Sequence, residues 1–332
     1  MIPDHKKEEF PPSPARTATP MKYLFGPVNS RRLGLSLGID LLTTKTCNFD
    51  CIYCEVGGTT IHTCERQEYT PTAEILAEID ELLSNEDLAK PIDVYTITAM
   101  GEPTLHTGIG EIIRHIKEKT GKPVAVLTNG GLLHRQDVRQ ELQAADIVIP
   151  SLDSARAASF RKIDRPAQCV GLEEIIAGLA LFCREFSGQV WLEVMLVKNI
   201  NDQPRDIEAL QQAIRRINPD RVQLNTVVRP PLESFAAPLS QEDLTHLAGQ
   251  LPGKVEIIAS FAKRQHDSWR SPEAAEILEM LQRRPCTASD ISEALNLEPS
   301  QTKRLMEELA DQGQVLKMLH QGKTYYQPPH PK

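Results

Sequence analysis

The chain has 332 residues, 40% hydrophobic and 25% charged, enough to bury a large core in more than one globular domain. Its net charge of −8 excludes an overall basic footprint for nucleic acid, leaving only a local patch open. No run of about 18 apolar residues spans a membrane, and the first twenty residues (MIPDHKKEEFPPSPARTATP) lack an apolar signal core, so a cytoplasmic protein is expected.

Residues 1–22 are charged and proline-rich and read as a flexible tail. From Gly34 onward, short apolar runs alternate with amphipathic segments. Strands are predicted at 35–42, 94–99, 123–128, 146–150, 190–197 and 221–225. Between them lie helical patterns such as "TAEILAEIDELLS", "GIGEIIRHIKEK" and "PRDIEALQQAIRRI", with Thr72 and Pro204 as starts and Gly121 and Gly188 as stops. Strands alternating with helices predict parallel βα units. There are about six, giving a partial (β/α)6 TIM-like barrel over residues 23–268. A further strand is predicted at 254–258.

The loop after the strand at 35–42 reads "TKTCNFDCIYCEVG". Its cysteines, Cys47, Cys51 and Cys54, sit at the carboxyl end of a barrel strand, where such folds keep their functional groups. Seven cysteines in a reducing compartment make a disulfide framework unexpected, and thiols clustered in sequence point to metal or catalysis. Three thiolates at these spacings can hold an iron–sulfur cube by three corners and leave the fourth iron open. Structural zinc takes four ligands, and only Cys64 stands near enough in sequence to complete such a set.

"CNFDCIYC" resembles the C-x-x-x-C-x-aromatic-C signature of the radical S-adenosylmethionine (radical SAM) superfamily, with Tyr53 in the aromatic position. The resemblance implies a 4Fe–4S cluster on Cys47, Cys51 and Cys54, and S-adenosylmethionine chelated through its amino and carboxylate groups to the open iron. It implies reductive cleavage of that sulfonium to methionine and a 5′-deoxyadenosyl radical, which takes hydrogen from a substrate. It also implies a partner electron donor of flavodoxin or ferredoxin type.

Later strand ends supply further candidates for the cofactor site. "MGEPTL" (100–105) resembles the family's Gly-Gly-Glu-Pro stretch, with Met100 replacing the first glycine. The resemblance makes Gly101, Glu102 and Pro103 acceptors for the methionine ammonium. Asn129 follows the strand at 123–128. Ser151 and Asp153 resemble the family's polar pair near the ribose and methionine carboxylate, although either could cap a helix near Ser154. Glu193 lies inside the apolar "VWLEVMLV" and needs a partner, for which Lys198 or the ribose hydroxyls are candidates. Arg31, Arg32, Lys198, Asn225 and Arg229 are possible substrate contacts, and a solvated basic pair is the alternative for the two adjacent arginines. Cys183 is expected in the core, with Cys169 and Cys286 at helix beginnings. No local spacing supports a second cluster from the remaining cysteines. His106 is expected at the surface.

"GPVNSRRLGLSLGIDLL", the cysteine loop and "LNTVVRPP" together resemble the wybutosine-synthesis branch, over residues 25 to about 260. That branch joins pyruvate to methylated guanosine in tRNA and carries a second cluster on amino-terminal cysteines. This chain has no cysteine before Cys47.

Residues 269–332 read as three helices and a two-stranded ribbon. A tight turn is predicted at Asn296, a second helix opens at Pro299-Ser300, and the ribbon turns at Gln321-Gly322. This is the pattern of a winged helix. From Pro272 onward there are seven Lys/Arg against nine Asp/Glu, a balance of −2 that fits a phosphate backbone poorly. Docking of RNA and docking of a protein or peptide both remain open. Two functions follow: a radical SAM enzyme acting on a tRNA base or a peptide, or an iron–sulfur redox-sensing transcription regulator that binds DNA through the winged helix.

Overall fold

A computed structural model describes residues 21–30, 32–259, 269 and 271–329. The expected tail, up to residue 20, lies outside the described residues, as does the join between the two expected domains at 260–268.

The central sheet opens with an antiparallel pair, β1 (Leu24–Ser30) and β2 (Gly34–Asp40). The cysteine loop follows and contains two short paired strands, β3 (Thr46–Cys47) and β4 (Ile61–His62). After α1 (Thr72–Leu83) and α2 (Glu86–Ala89), β5 (Val94–Thr98) lies parallel to β2 with Ser36 opposite Val94. Helices then alternate with strands: α3 (Ile109–Thr120), β6 (Val124–Thr128), α4 (Gln136–Glu141), β7 (Ile147–Pro150), α5 (Ala157–Ile163), α6 (Leu172–Glu185) and β8 (Gln189–Leu196). The series ends with α7 (Pro204–Ile217), β9 (Arg221–Thr226), α8 (Gln241–Ala248) and β10 (Val255–Ile257). Strand order is β1-β2-β5-β6-β7-β8-β9-β10, parallel throughout except for β1. β1 and β10 are the two edges of this order, so the barrel is partial and open on one side.

The local chemistry accounts for these elements. Strands buried on both faces are rich in β-branched and aliphatic residues, as in "VAVLT" and "IVIP". α3 stops at Gly121, whose φ of 63° suits a residue without Cβ. α7 starts with Pro204 at its first turn and ends at Asn218 in the left-handed region. One continuous core under the sheet includes Leu37, Ile39, Ile97, Val126 and Leu192.

The carboxy-terminal unit contains α9 (Ala274–Arg283), α10 (Ala288–Leu295) and α11 (Pro299–Asp311), then a hairpin of β11 (Leu316–His320) and β12 (Lys323–Gln327). Thr287 and Asp290 form a reciprocal cap at the start of α10, and Asn296 ends it with φ of 54°. The hairpin turns through Gln321 and Gly322, both at positive φ. Its separate core includes Ile277, Leu281, Ile291 and Met306, and Val28 of β1 packs against it.

Candidate active site

The cysteine loop is fastened at both ends to the strand ends around it. Thr46 donates its N–H to Met100 O (3.1 Å) and accepts from Glu102 N (3.0 Å), so the residue before Cys47 is paired with the turn after β5. Gly101, at φ of 133°, permits this approach: a Cβ there would stand 1.8 Å from Thr46 O. On the other side Asp50 N and Ile52 N donate to Asp164 O (3.0 Å) and Ile163 O (2.9 Å) at the end of α5. Ile52 is fully buried with Ile163, Val197 and Val227, an anchor of about 2 kcal/mol within the loop.

The thiols of Cys47, Cys51 and Cys54 lie within electrostatic reach of one another, which makes Cys47 and Cys51 harder to ionise, and Cys51 Sγ donates to Asp164 Oδ1 at 3.6 Å. Burial is the larger cause: it pushes the Cys47 thiol up to about 12 and Cys51 well above the ordinary range, with Asp164 adding repulsion at Cys51. Three donors follow them. Cys47 Sγ accepts from Phe49 N (3.4 Å) and Asn129 Nδ2 (3.5 Å), and Cys54 Sγ from Lys45 Nζ (3.1 Å). Such a pocket requires positive charge before its thiols can act as thiolates.

Among the described residues no three His, Cys, Asp or Glu side chains converge tightly enough to hold a single metal ion. Cys64, the candidate fourth zinc ligand, is instead bonded to Cys169. The donor set therefore disfavours mononuclear zinc and fits a larger group that takes one thiolate at each of several metal atoms. Asn48 Nδ2, buried beside the same thiols without an acceptor, is consistent with that fit.

The remaining candidates fall into three groups. Gly101, Glu102, Pro103 and Asn129 meet at the ends of β5 and β6. The Glu102 carboxylate is fully buried and accepts from Thr104 N (3.0 Å), Asn129 N (2.7 Å) and the hydroxyls of Thr104 (2.5 Å) and Thr128 (2.6 Å). Burial raises its pKa while these donors oppose the rise. Most of its accepting capacity is thus spent inside the protein, and an incoming ammonium would find only what remains.

Tyr53, Ser151 and Asp153 form the second group. Tyr53 donates its hydroxyl to Asp153, which also accepts from Met195 N (2.8 Å). The helix after this strand end begins at Ala157 with Arg156 as its cap residue, so neither Ser151 nor Asp153 caps it. Burial pushes Asp153 up to about 6, a rise that its hydrogen bonds from Tyr53, Met195 N and Asp164 oppose, while burial and then the neighbouring Asp153 hold the buried Asp164 well above the ordinary carboxylate range. Ser151 donates its N–H to Thr128 O (3.1 Å), and the backbone beside it bridges to Glu193.

The third group crosses the barrel. Glu193 pairs with Arg32 (2.8 Å) and accepts from Asn225 Nδ2 (3.1 Å), and Arg32 also donates to the buried Gln223. The expected partner Lys198 is exposed and lies outside this network. Arg31 lies outside the described residues. Arg229 is separate from these, paired with Glu55 (2.8 Å), the residue after Cys54.

Other expectations are corrected. His106 is fully buried: its Nε2 pairs with Thr70 O (2.7 Å) and its Nδ1 accepts from Gly108 N (2.9 Å). A disulfide is present despite the expectation of none, and it removes Cys64 and Cys169 from any second cluster. Of the other two cysteines, Cys183 packs against the barrel core and Cys286 sits within the carboxy-terminal one. Lys45, Asp164 and Glu55 were not singled out in the sequence. Lys45, two residues before the first cysteine, and Glu55, directly after the third, stood beside a signal; Asp164 did not.

The model of the radical SAM superfamily matches residues 41–210. A protein of Brachyspira hyodysenteriae named GTPase Obg is 35% identical over 92% of this chain, which spans 45% of that relative's length. A UPF0026 protein of Methanocaldococcus jannaschii is 30% identical over 92% of this chain and 96% of its own length. Among solved structures, a radical SAM methyltransferase from Sphaerobacter thermophilus aligns with a TM-score of 0.54 at 17% identity, covering 68% of this chain and 67% of that one, a likeness of fold.

Proposed function

Because the chain belongs to the radical SAM superfamily of enzymes, whose cofactors are a 4Fe–4S cluster and S-adenosylmethionine, we propose that Cys47, Cys51 and Cys54 are the cluster ligands. The cluster, when bound, supplies the electron that splits S-adenosylmethionine into methionine and a hydrogen-abstracting 5′-deoxyadenosyl radical. The observation that carries this reading is the strapping of the three-thiol loop to the Gly101-Glu102 turn through Thr46.

On this reading the chain's residues have distinct tasks. Lys45, Phe49 N and Asn129 direct N–H groups at the ligand sulfurs and offset their charge. The backbone around Gly101 receives the methionine ammonium, with Glu102 holding the strand ends in register. Asp153, oriented by Tyr53, and Ser151 bind the polar end of the cofactor. Glu193 and Asn225 face the ribose, with Arg32 balancing the glutamate's charge. An electron donor of flavodoxin or ferredoxin type reduces the site.

We take residues 23–268 as the catalytic unit and 269–332 as a winged helix that helps recruit the substrate, a tRNA base or a peptide. The order of α9–α11 and the hairpin supports that assignment. No observation favours a DNA-binding regulator. The wybutosine-type reaction is not part of this reading, because Cys64 and Cys169 are joined to each other and no cysteine precedes Cys47. Among the described residues no helix is long and apolar enough to cross a membrane, which fits the proposed cytoplasmic setting.

Anaerobically purified protein should carry about four irons and four sulfides per chain and form 5′-deoxyadenosine under reductant. Both should vanish when Cys47, Cys51 and Cys54 are replaced by alanine. A stoichiometric zinc content, or 5′-deoxyadenosine formation that survives the triple replacement, would overturn the reading.

A further inference from the structure

A cavity of about 290 Å³ lies between strands β1, β2 and β5 of the barrel and the carboxy-terminal unit. Its walls come from both. The barrel contributes Asp40 at the end of β2, Met100 before Gly101, Glu55 after Cys54, and Arg229; the carboxy-terminal unit contributes Arg283 and Arg284 at the end of α9. The cavity thus reaches the cysteine loop at Glu55 and the turn after β5 at Met100, where the sequence departs from the family's glycine.

The acids of this cavity are occupied. Asp40 pairs with Arg283 and accepts from Leu42 N (3.1 Å) and Met100 N (3.0 Å). Glu55 pairs with Arg229 at 2.8 Å. Glu276 accepts from Glu273 N (3.1 Å) at the start of α9, and Glu279 is also engaged. Across the barrel, Arg32 is matched by Glu193.

The other cations are not fully matched. Arg229 and Arg283 each use Nη1 for their carboxylate, and the Nε of each is buried without an acceptor. Arg284 reaches Glu55 only at 3.9 Å. The lining's four arginines and four carboxylates balance in charge, but the Nε–H groups of Arg229 and Arg283 still lack an acceptor, and an oxyanion is the ligand that would supply one.

We propose that this cavity is a substrate subsite that takes a carboxylate or phosphate group, held between Arg229 of the barrel and Arg283 and Arg284 of the carboxy-terminal unit. The proposal rests on the proposed function only in calling the occupant a substrate. It makes the carboxy-terminal unit a wall of the reaction chamber as well as a docking surface, and it limits the part of the substrate that enters to small-molecule size.

Cluster-loaded protein is titrated with inorganic phosphate and with acetate, chloride being adjusted to constant ionic strength, and read by calorimetry and by thermal midpoint. At least one anion is expected to bind and to raise the midpoint above the chloride control. Stronger binding of phosphate indicates a phosphate ester, and stronger binding of acetate a carboxylate. Arg229→Gln and Arg284→Gln should each weaken binding about tenfold, the equivalent of one charge-assisted hydrogen bond. Arg284→Gln should leave the anion-free midpoint near wild type, since its contact with Glu55 is long and partly exposed. No binding beyond the chloride control, or unchanged affinity in Arg284→Gln, overturns the proposal. The same preparation is assayed for 5′-deoxyadenosine: its formation without anion binding sinks this inference alone, whereas its absence counts against the proposed function.

Discussion

Lys45 Nζ stands 3.1 Å from the Sγ of Cys54 and also donates to Gly57 O, so a buried ammonium is fixed against one of the three clustered thiols. A cation there favours the more negative, reduced state of a bound cluster. Lys45→Met should therefore leave iron content intact and lower the cluster midpoint by roughly 60 mV, one tenfold change for a one-electron couple. Potentiometric titration followed by electron paramagnetic resonance measures it, and an unchanged or raised midpoint would assign the lysine to packing alone.

Gly101→Ala tests the strap between the cysteine loop and β5. The added methyl would meet Thr46 O at 1.8 Å in a backbone conformation that other residues avoid. Separation of the two segments moves Cys47, and reconstituted iron should fall from about four to below one per chain. Circular dichroism should retain the helical signal, because the backbone bonds of the strap run from Thr46 to Met100 and Glu102 and involve no helix. Full iron loading would show that the strap is dispensable.

The Asp153–Asp164 pair gives a pH dependence with a definite sign. Burial raises Asp153 from its ordinary value of 3.8 to about 6. Below 3.8 both folded and unfolded chains are protonated and the site has no net effect. As pH rises to about 6 the unfolded chain ionises first, so stability falls, by about 2 to 3 kcal/mol. Denaturant unfolding of cluster-free protein at several pH values should show this loss in wild type and a flatter profile in Asp153→Asn. Parallel profiles would place the pair's protons elsewhere.

Cys64 and Cys169 are 105 residues apart in sequence. Closing a loop of that length restricts the unfolded chain by roughly 4 to 5 kcal/mol. Non-reducing peptide mapping of air-exposed protein should recover the crosslinked pair. Wild type should lose stability on reduction while Cys64→Ser does not respond. Recovery of both cysteines as free thiols would remove the bond from the native chain.

Most of the parallel sheet was legible because its signals are contiguous: apolar runs, glycine stops, and three cysteines within eight residues. Strand β1 was not, because Gly26-Pro27 interrupts its pattern and proline argues against a strand. The register there slips between Phe25 and Val28, which accommodates that pair. The site's residues were legible one strand end at a time, but their partners were not. For Glu193 the sequence offers Lys198, five residues away, or the ribose hydroxyls of a cofactor, whereas its cation is Arg32, 161 residues earlier. His106 looked superficial beside a turn, yet Thr70 and Gly108 enclose it. Cysteine spacing reveals a ligand loop but carries no information about a bond between Cys64 and Cys169.

Strand β1 ends the sheet with one side unpaired, and α10 lies against it, with Asn29 Nδ2 donating to Glu293 O at 3.3 Å. An exposed sheet margin is a template on which other chains add and polymerise. The helices after residue 272 shield this one, so a chain cut short before them would lose its colloidal behaviour together with any loss of turnover.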